Sequence, residues 1–218
     1  MTEAIIFDMD GLMFDTESVS LDGWVVAGKV MGYPLKAEMV YQVFGHNPEG
    51  IAKYWHEVFG EDFDTDEAMR LRLEYIEKTI KKDGIRLKPG LIELLDYLKT
   101  SNYRFAIASS SQRKLVEMNL KAAGVAEYFD TIVGGDEIIH GKPAPDIYLK
   151  ASEQLGVLPG KCMVLEDSPA GIESGQCAGM KPVMIPDLIE ADEATKQRLY
   201  AKLTNLTEVI DLLKNEKE

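Results

Sequence analysis

Near its start the chain reads Ile5-Ile6-Phe7-Asp8-Met9-Asp10-Gly11, an apolar run that ends in two acids one residue apart and then a glycine. This pattern predicts a buried strand that opens into a turn at Gly11, because glycine allows backbone geometries that larger residues resist. Side chains alternate along an extended strand, so Asp8 and Asp10 point to the same side.

Two close carboxylates such as Asp8 and Asp10 repel each other unless a positive group lies between them. We therefore expect a divalent cation and an anionic substrate here, with one acid as ligand or nucleophile and the other handling protons. An acidic turn after an edge strand is the simpler alternative for these two residues.

From Leu87 onward the chain alternates between helical and strand patterns. Short buried strands are predicted at 104–108, 128–133, 161–165 and 181–185, with helices between them. Strands separated by helices imply parallel pairing, so the predicted class is α/β with a doubly wound parallel sheet. Sites in such sheets lie at the carboxyl ends of the strands.

The segment between the first strand and this alternating region shows no strong strand pattern. Helices are predicted at 18–30, 38–44, 50–59 and 66–82, with breaks rich in glycine and proline. We therefore expect an all-α helical bundle at 16–83, inserted into a discontinuous core domain of 1–15 and 84–218.

Three of the predicted strands end in polar side chains. In addition, Lys142 lies in a loop, directly after a glycine and before two prolines. Alone, each has a structural explanation: serines cap helices, acids suit helix N-termini, and a loop lysine is usually solvated. Their joint order along the chain favours a single site instead. The candidate residues are Asp8, Asp10, Ser109, Ser110, Lys142, Glu166 and Asp167.

The composition excludes several classes of function. The net charge of −13 argues against binding to nucleic acid or to anionic membranes. Cys162 and Cys177 both lie in segments that we predict to be buried, so we expect no disulfide and a cytoplasmic protein. No stretch approaches the roughly 18 apolar residues of a membrane span. Oligomeric state leaves no trace in the sequence, and a monomer or weak dimer is expected.

Four motifs in chain order resemble those of the haloacid dehalogenase superfamily of phosphotransferases, across most of the chain. They are Asp8-x-Asp10-Gly11, Ser109, Lys142-Pro143 and Glu166-Asp167. The resemblance implies a Rossmann-like core. It also implies that 16–83 form a helical cap, as in the subgroup of β-phosphoglucomutases and small sugar-phosphate phosphatases.

The resemblance assigns a role to each candidate residue. Asp8 would attack phosphorus and carry an aspartyl-phosphate, and Asp10 would protonate the leaving oxygen and then deprotonate water. Mg²⁺ would be held by Asp8, the backbone carbonyl of Asp10, Glu166 and Asp167. Ser109, the Ser110 amide and Lys142 would bind the phosphoryl oxygens.

Two further residues come from the cap. Thr16 would steer Asp10 as the cap moves. His46, beside Gly45 in a cap loop, is expected to be a surface residue rather than a catalyst, and we count it among the candidate substrate contacts.

The cap favours hydrolysis over mutase chemistry. The resemblance implies two differences from β-phosphoglucomutases. Their first cap helix carries a histidine where this chain has Ser20, and their cap loop carries an arginine where this chain has Pro48. We therefore predict a magnesium-dependent phosphatase of small phosphorylated metabolites, with sugar phosphates as substrates. The alternatives are a β-phosphoglucomutase and, in a different class, a non-catalytic metabolite-sensing protein. A haloacid dehalogenase is disfavoured because that branch needs neither the second aspartate nor magnesium.

Overall fold

The computed structural model describes residues 1–44 and 48–216 of the chain. Its strands are β1 (Ala4–Phe7), β2 (Arg104–Ser109), β3 (Ile132–Gly134), β4 (Cys162–Glu166), β5 (Lys181–Met184) and β6 (Ala201–Lys202). Its α-helices are α1 (Thr16–Met31), α2 (Ala37–Val40), α3 (Pro48–Phe59), α4 (Thr65–Asp83), α5 (Leu91–Thr100), α6 (Arg113–Ala122), α7 (Asp146–Leu155), α8 (Pro169–Cys177), α9 (Glu193–Lys196) and α10 (Glu208–Asn215).

The strands form one six-stranded parallel sheet in the order β3-β2-β1-β4-β5-β6. The predicted α/β class with a doubly wound sheet is confirmed. The chain moves outward from β1 to β3 and then returns to the other side of β1 with β4, so the strand order reverses between β1 and β4. Open α/β sheets bind ligands at the carboxyl end of such a reversal.

The first strand is buried on both faces, which explains its continuous apolar run. Ile5 and Phe7 pack on one face of the sheet in the cluster that includes α5, α6 and α10. Ala4 and Ile6 pack on the other face, against α7. All four side chains are fully buried, so the strand that leads to Asp8 and Asp10 is fixed from both sides.

Helices α1 to α4 have a hydrophobic cluster of their own, built around Trp24, Trp55 and Phe63. The rings of Trp24 and Trp55 lie 5.4 Å apart between centroids, which joins α1 to α3. This separate cluster supports the division into a core of 1–15 with 84–218 and a cap of 16–83, whose bounds stay a prediction.

Three elements differ from the predictions. The strand predicted at 128–133 is confined to β3, because Ala126–Tyr128 forms a 3-10 helix. The short α9 and β6 were not predicted. β6 has two residues and is held at the sheet edge by neighbouring backbone bonds, from Tyr200 N–H to the Pro182 carbonyl (2.7 Å) and from Leu203 N–H to the Met184 carbonyl (2.9 Å).

The expectation that both cysteines are buried was half wrong. Cys162 is buried in β4, whereas Cys177 is exposed at the end of α8. Gly175 faces Val164 of the sheet, and Cys177 lies about 200° further around the helix, on the opposite side. Among the described residues, none of the helices is long and apolar enough to cross a membrane.

The carboxylate of Glu216 ties the end of the chain to the sheet. It accepts bonds from Lys181 Nζ (2.8 Å), Tyr200 Oη (2.7 Å) and the Thr2 amide (2.8 Å). Partial burial opposes the charged form, but these donors outweigh it and lower the pKa of Glu216 to about 2.

Replacing Glu216 by glutamine should lower the free energy of unfolding by about 1–2 kcal/mol at neutral pH. A carboxylate with a depressed pKa stabilises the fold above its unfolded pKa, so the difference from wild type should be full at neutral pH and fade as the pH falls from about 4.5 to about 2. Urea unfolding at several pH values would measure it. Glu193→Gln, which breaks an exposed pair with Lys196, should change stability by less than about 0.5 kcal/mol. A Glu216→Gln penalty that does not shrink in acid would contradict this account.

Candidate active site

The carboxyl ends of β1, β2 and β4 bring predicted site residues from three parts of the chain together. Asp8 follows β1, Ser109 ends β2 and Glu166 ends β4. Because β1 lies between the other two strands in parallel register, Asp8 is level with Glu166, and Ser109 lies one residue further along β2 at the same edge of the sheet. All three are buried.

Lys142 reaches into the same place from the loop before α7. Its Nζ lies 2.5 Å from Asp8 Oδ1 and 2.6 Å from Glu166 Oε1, and it donates to the Ala108 carbonyl (3.3 Å). Burial disfavours a charged lysine, but the charges of Asp8 and Glu166 outweigh it and raise the pKa of Lys142 well above its ordinary value. The lysine is therefore a fixed positive charge between Asp8 and Glu166, whereas the sequence analysis expected a divalent cation beside Asp8 and Asp10 and assigned Lys142 to the phosphoryl oxygens.

Both oxygens of Glu166 are bound by protein donors. Oε1 accepts from Lys142 and from the Tyr148 hydroxyl (2.7 Å), and Oε2 accepts from the Ser168 amide (3.0 Å) and the Asp167 amide (3.1 Å). Burial alone would raise the pKa of Glu166, but the charge and hydrogen bond of Lys142, helped by Tyr148 and Ser168, lower it overall. Glu166 is therefore ionised and held in one orientation.

Hydroxyl groups hold Asp10 in the turn after β1. Thr16 Oγ1 donates to Asp10 Oδ1 (2.7 Å), and Ser111 Oγ donates to Oδ2 (2.8 Å). Ser109 Oγ lies 3.4 Å from the same Oδ2. Ser110, predicted to bind phosphoryl oxygens through its amide, is exposed just after β2. Asp8 and Asp10 thus occupy different surroundings: Asp8 faces a lysine, and Asp10 faces neutral hydroxyls.

Asp8, Glu166 and Asp167 form a buried group that could hold a metal ion. One oxygen of each lies within 4.8 Å of the others. Burial raises the pKa of Asp8 to about 8, although Lys142 opposes the rise. Burial and Glu166 raise the pKa of Asp167 well above its ordinary value. Within the described residues nothing donates to the Asp167 carboxylate. The side chain of Asp10 lies outside this group, and its predicted backbone contact with the metal stays a prediction.

A second acidic group, formed by Glu17 and Asp187, lies near the turn at Gly11. The φ of Gly11 is +81°. A Cβ there would lie 2.2 Å from Asp167 Oδ2, so the turn fits only a glycine. Burial, and then Asp187, raise the pKa of Glu17 to about 8. Lys88 Nζ neutralises part of this charge, 2.5 Å from Asp187 Oδ1. Positive charge is therefore scarce around the site.

A model of the haloacid dehalogenase-like hydrolases matches residues 5–185 of the chain, which include the four motifs. The chain belongs to this family. Among its relatives, a phosphorylated carbohydrates phosphatase of Thermotoga maritima is 31% identical over 182 residues, 83% of each chain. A fructose-1-phosphate phosphatase of Escherichia coli is 30% identical over 181 residues, 82% of this chain and 94% of the relative.

Solved structures of the family superpose over nearly the whole chain. A structure described as a putative β-phosphoglucomutase from Thermotoga maritima has a TM-score of 0.78 at 27% identity, and covers 98% of this chain and 99% of its own. The CbbY protein of Rhodobacter sphaeroides, solved with phosphate, has a TM-score of 0.81 at 26% identity and covers 96% of each chain. The predicted resemblance to this family and subgroup is confirmed.

The cap residues that separate hydrolysis from mutase chemistry are placed only in part. Ser20 lies buried on α1, one turn after Thr16, and accepts a bond from Arg72 Nε (2.8 Å). Pro48 is the first residue of α3. The predicted substrate contact at His46 lies outside the described residues.

The sequence analysis of this hydrolase missed three residues that contact the site, namely Ser111, Tyr148 and Ser168, and it also missed Arg72, which contacts Ser20 in the cap. Ser168 is followed by Pro169, a pattern typical of a helix start, and it does accept from the Gly171 amide (3.2 Å) while also donating to Glu166. Tyr148 and Arg72 lie in amphipathic helices, where an aromatic or a basic residue carries no signal of its own. A third serine in the run that ends β2 was the one available hint, for Ser111.

Proposed function

We propose that this protein is a magnesium-dependent phosphatase of small phosphorylated metabolites, with sugar phosphates as substrates, that acts through an aspartyl-phosphate on Asp8. The observation that carries the proposal is the separation of the two aspartates. Asp8 is buried against Lys142 and the acidic group, whereas Asp10 is held by Thr16 and Ser111 at the base of the cap. Two acids in unlike surroundings suit two different roles.

The residues present fit Mg²⁺. A hard divalent cation prefers carboxylate oxygens, and Asp8, Asp167 and Glu166 offer three of them close together and shielded from water. Asp167 lacks any other described partner, and Lys142 is the one cation that touches the group in the described part of the chain. Asp8, Asp167 and Glu166, with the Asp10 carbonyl, would hold the ion. When bound, it would neutralise the carboxylates and draw charge from the phosphoryl oxygens.

In the first half of the reaction, one Asp8 oxygen forms a bond to phosphorus while the bond from phosphorus to the ester oxygen breaks. Asp10 gives its proton to that oxygen, so the alcohol leaves neutral. Lys142, Ser109 and the Ser110 amide donate to the phosphoryl oxygens as their charge grows, a role supported by the position of Ser109 and Ser110 at the carboxyl end of β2. In the second half, water attacks phosphorus and gives a proton to Asp10. The bond between phosphorus and the Asp8 oxygen breaks, which frees Asp8 and releases inorganic phosphate.

Removal of divalent metal should abolish phosphate release. Purified protein dialysed against EDTA should release less than about 1% of the phosphate that it releases with millimolar Mg²⁺, because repulsion among the carboxylates then opposes an anionic substrate. The measurement is colorimetric phosphate release from a panel of sugar phosphates and p-nitrophenyl phosphate, with Mg²⁺ added back as the control. Full activity in EDTA would refute the metal requirement. Tight binding of a panel member with no phosphate release would favour the metabolite-sensing alternative.

A β-phosphoglucomutase is the second candidate, since a structural neighbour at 27% identity is described as a putative β-phosphoglucomutase. A mutase must bind two phosphates in turn, and Ser20 and Pro48 stand where a histidine and an arginine are expected in mutases. Formation of glucose 6-phosphate from β-glucose 1-phosphate, coupled to a dehydrogenase, would detect it.

A phosphorylated small-molecule substrate is consistent with the names of the relatives. A cytoplasmic location and a monomeric or weakly dimeric state stay predictions.

A further inference from the structure

Arg72 of α4 is a cap cation that lies close to the catalytic acid. Thr16 contacts Asp10 directly, and Ser20 follows Thr16 by one turn on the same face of α1, about 6 Å further along. Arg72 Nε donates to Ser20 Oγ (2.8 Å). The guanidinium therefore sits about one helical turn from the acid that we assign to the leaving group.

Two contacts fix the guanidinium of Arg72 without using its terminal nitrogens. Besides Ser20, the group lies over the ring of Trp24, 5.4 Å from the centroid. The charge of Asp10 acts on the guanidinium, but within the described residues no carboxylate lies at ion-pair distance from it and no oxygen accepts from Nη1 or Nη2. Arg70, two residues earlier on the same helix, is bound to Glu67 and Glu74 and is exposed. A half-buried arginine that stays unpaired in a chain of net charge −13 indicates an external partner.

We infer that Arg72 is a substrate-binding residue of the cap, whose terminal N–H groups donate to oxygen atoms on the leaving group of the phosphomonoester. This inference rests on the proposed function and makes it more specific: the substrate's alcohol carries hydroxyl or anionic oxygens beyond the ester oxygen, as sugars and sugar alcohols do. The phosphoryl group itself is bound by the core, on the far side of Asp10.

The test compares substrates whose alcohols differ in oxygen content. Steady-state kinetics of Arg72→Gln would be measured with glucose 6-phosphate, sorbitol 6-phosphate and phenyl phosphate, whose leaving group has no oxygen besides the ester oxygen. We expect kcat/KM to fall about 10- to 100-fold for the sugar phosphates and less than about twofold for phenyl phosphate. Arg72→Lys should recover part of the loss. Arg70→Gln, which removes the same charge from the exposed face, should leave all three substrates unchanged.

A binding measurement decides the inference even if the proposed activity fails. In the Asp8→Asn background, isothermal titration would follow sorbitol 6-phosphate and inorganic phosphate with and without Arg72→Gln. The sugar phosphate should bind about 10- to 100-fold more weakly to the double variant, and inorganic phosphate equally to both. Equal losses for sugar phosphates and phenyl phosphate, equal losses for both titrated ligands, or no loss at all would overturn the inference. If the proposed function is wrong, the wild-type protein would instead release no phosphate from any of the substrates.

Discussion

Asparagine at position 8 should lower phosphate release by at least about 10⁴-fold, because an amide oxygen is too weak a nucleophile to attack phosphorus. The change preserves size and leaves an oxygen that can still accept from Lys142, whose Nζ lies 2.5 Å away. The loss should therefore come from chemistry and not from misfolding. Colorimetric phosphate release with the best substrate of the panel measures it, after mass spectrometry has shown that the introduced amide is intact.

Trapping of the intermediate gives the same prediction a second readout. Wild-type protein quenched in acid during turnover should carry one phosphoryl group, about 80 Da, on the peptide that contains Asp8, and Asp8→Asn should carry none. Asp96→Asn makes the same chemical change at an exposed acid on α5 and should behave as wild type. Phosphate release above about a tenth of wild type from intact Asp8→Asn, or a phosphoryl group on another peptide, would mean that another group attacks phosphorus.

Replacing Lys142 by methionine should remove activity and also destabilise the fold. The side chain has nearly the same shape, so the main change is the loss of the charge between Asp8 and Glu166, two buried carboxylates. Uncompensated charges of this kind typically destabilise a protein by about 3–5 kcal/mol. Urea unfolding in EDTA would measure the loss, and phosphate release should fall at least about 10³-fold because the developing phosphoryl charge loses its donor.

A double variant separates the electrostatic cause from lost packing. Adding Glu166→Gln to Lys142→Met removes the buried charge of Glu166, while Asp8, whose pKa is raised to about 8, is mostly protonated at neutral pH; part of the stability should therefore return while activity stays absent. Lys150→Met, at a partly exposed lysine 3.4 Å from Glu137, should cost less than about 1 kcal/mol. If Lys142→Met is as stable as wild type, or if the second substitution lowers stability further, the lysine does not neutralise this pair.

The sequence predicted the elements whose signal is local. β1 was predictable because a strand buried on both faces has a continuous apolar run, and the acids that follow it fall where parallel sheets place their sites. Lys142 was predicted from its proline-restricted loop and its place in the order of the motifs, and it lies between Asp8 and Glu166. The alternation of strands and helices predicted the fold class, and the order of the motifs predicted the core of the site.

Features that depend on tertiary contacts were not predictable. β6 has two residues and exists because β5 offers a free edge, and the aromatic pair Tyr128-Phe129 resembles a strand although Tyr128 ends a 3-10 helix. Arg72 and Ser20 are 52 residues apart, so their contact depends on how α1 packs on α4. Helical periodicity assigns each to a face, but it does not show what that face meets.

The position of β4 beside β1 has a consequence for how the protein matures. In chain order Asp8 comes first, Lys142 follows much later, and the acids that complete the group come last, at Glu166 and Asp167. β1 already has β2 as a neighbour on one side, but its other side stays unpaired until β4 has been made. A nascent chain can therefore build its cap from local contacts while its catalytic centre is still two separate halves. The group of Asp8, Glu166 and Asp167 is therefore complete only after β4 has paired with β1.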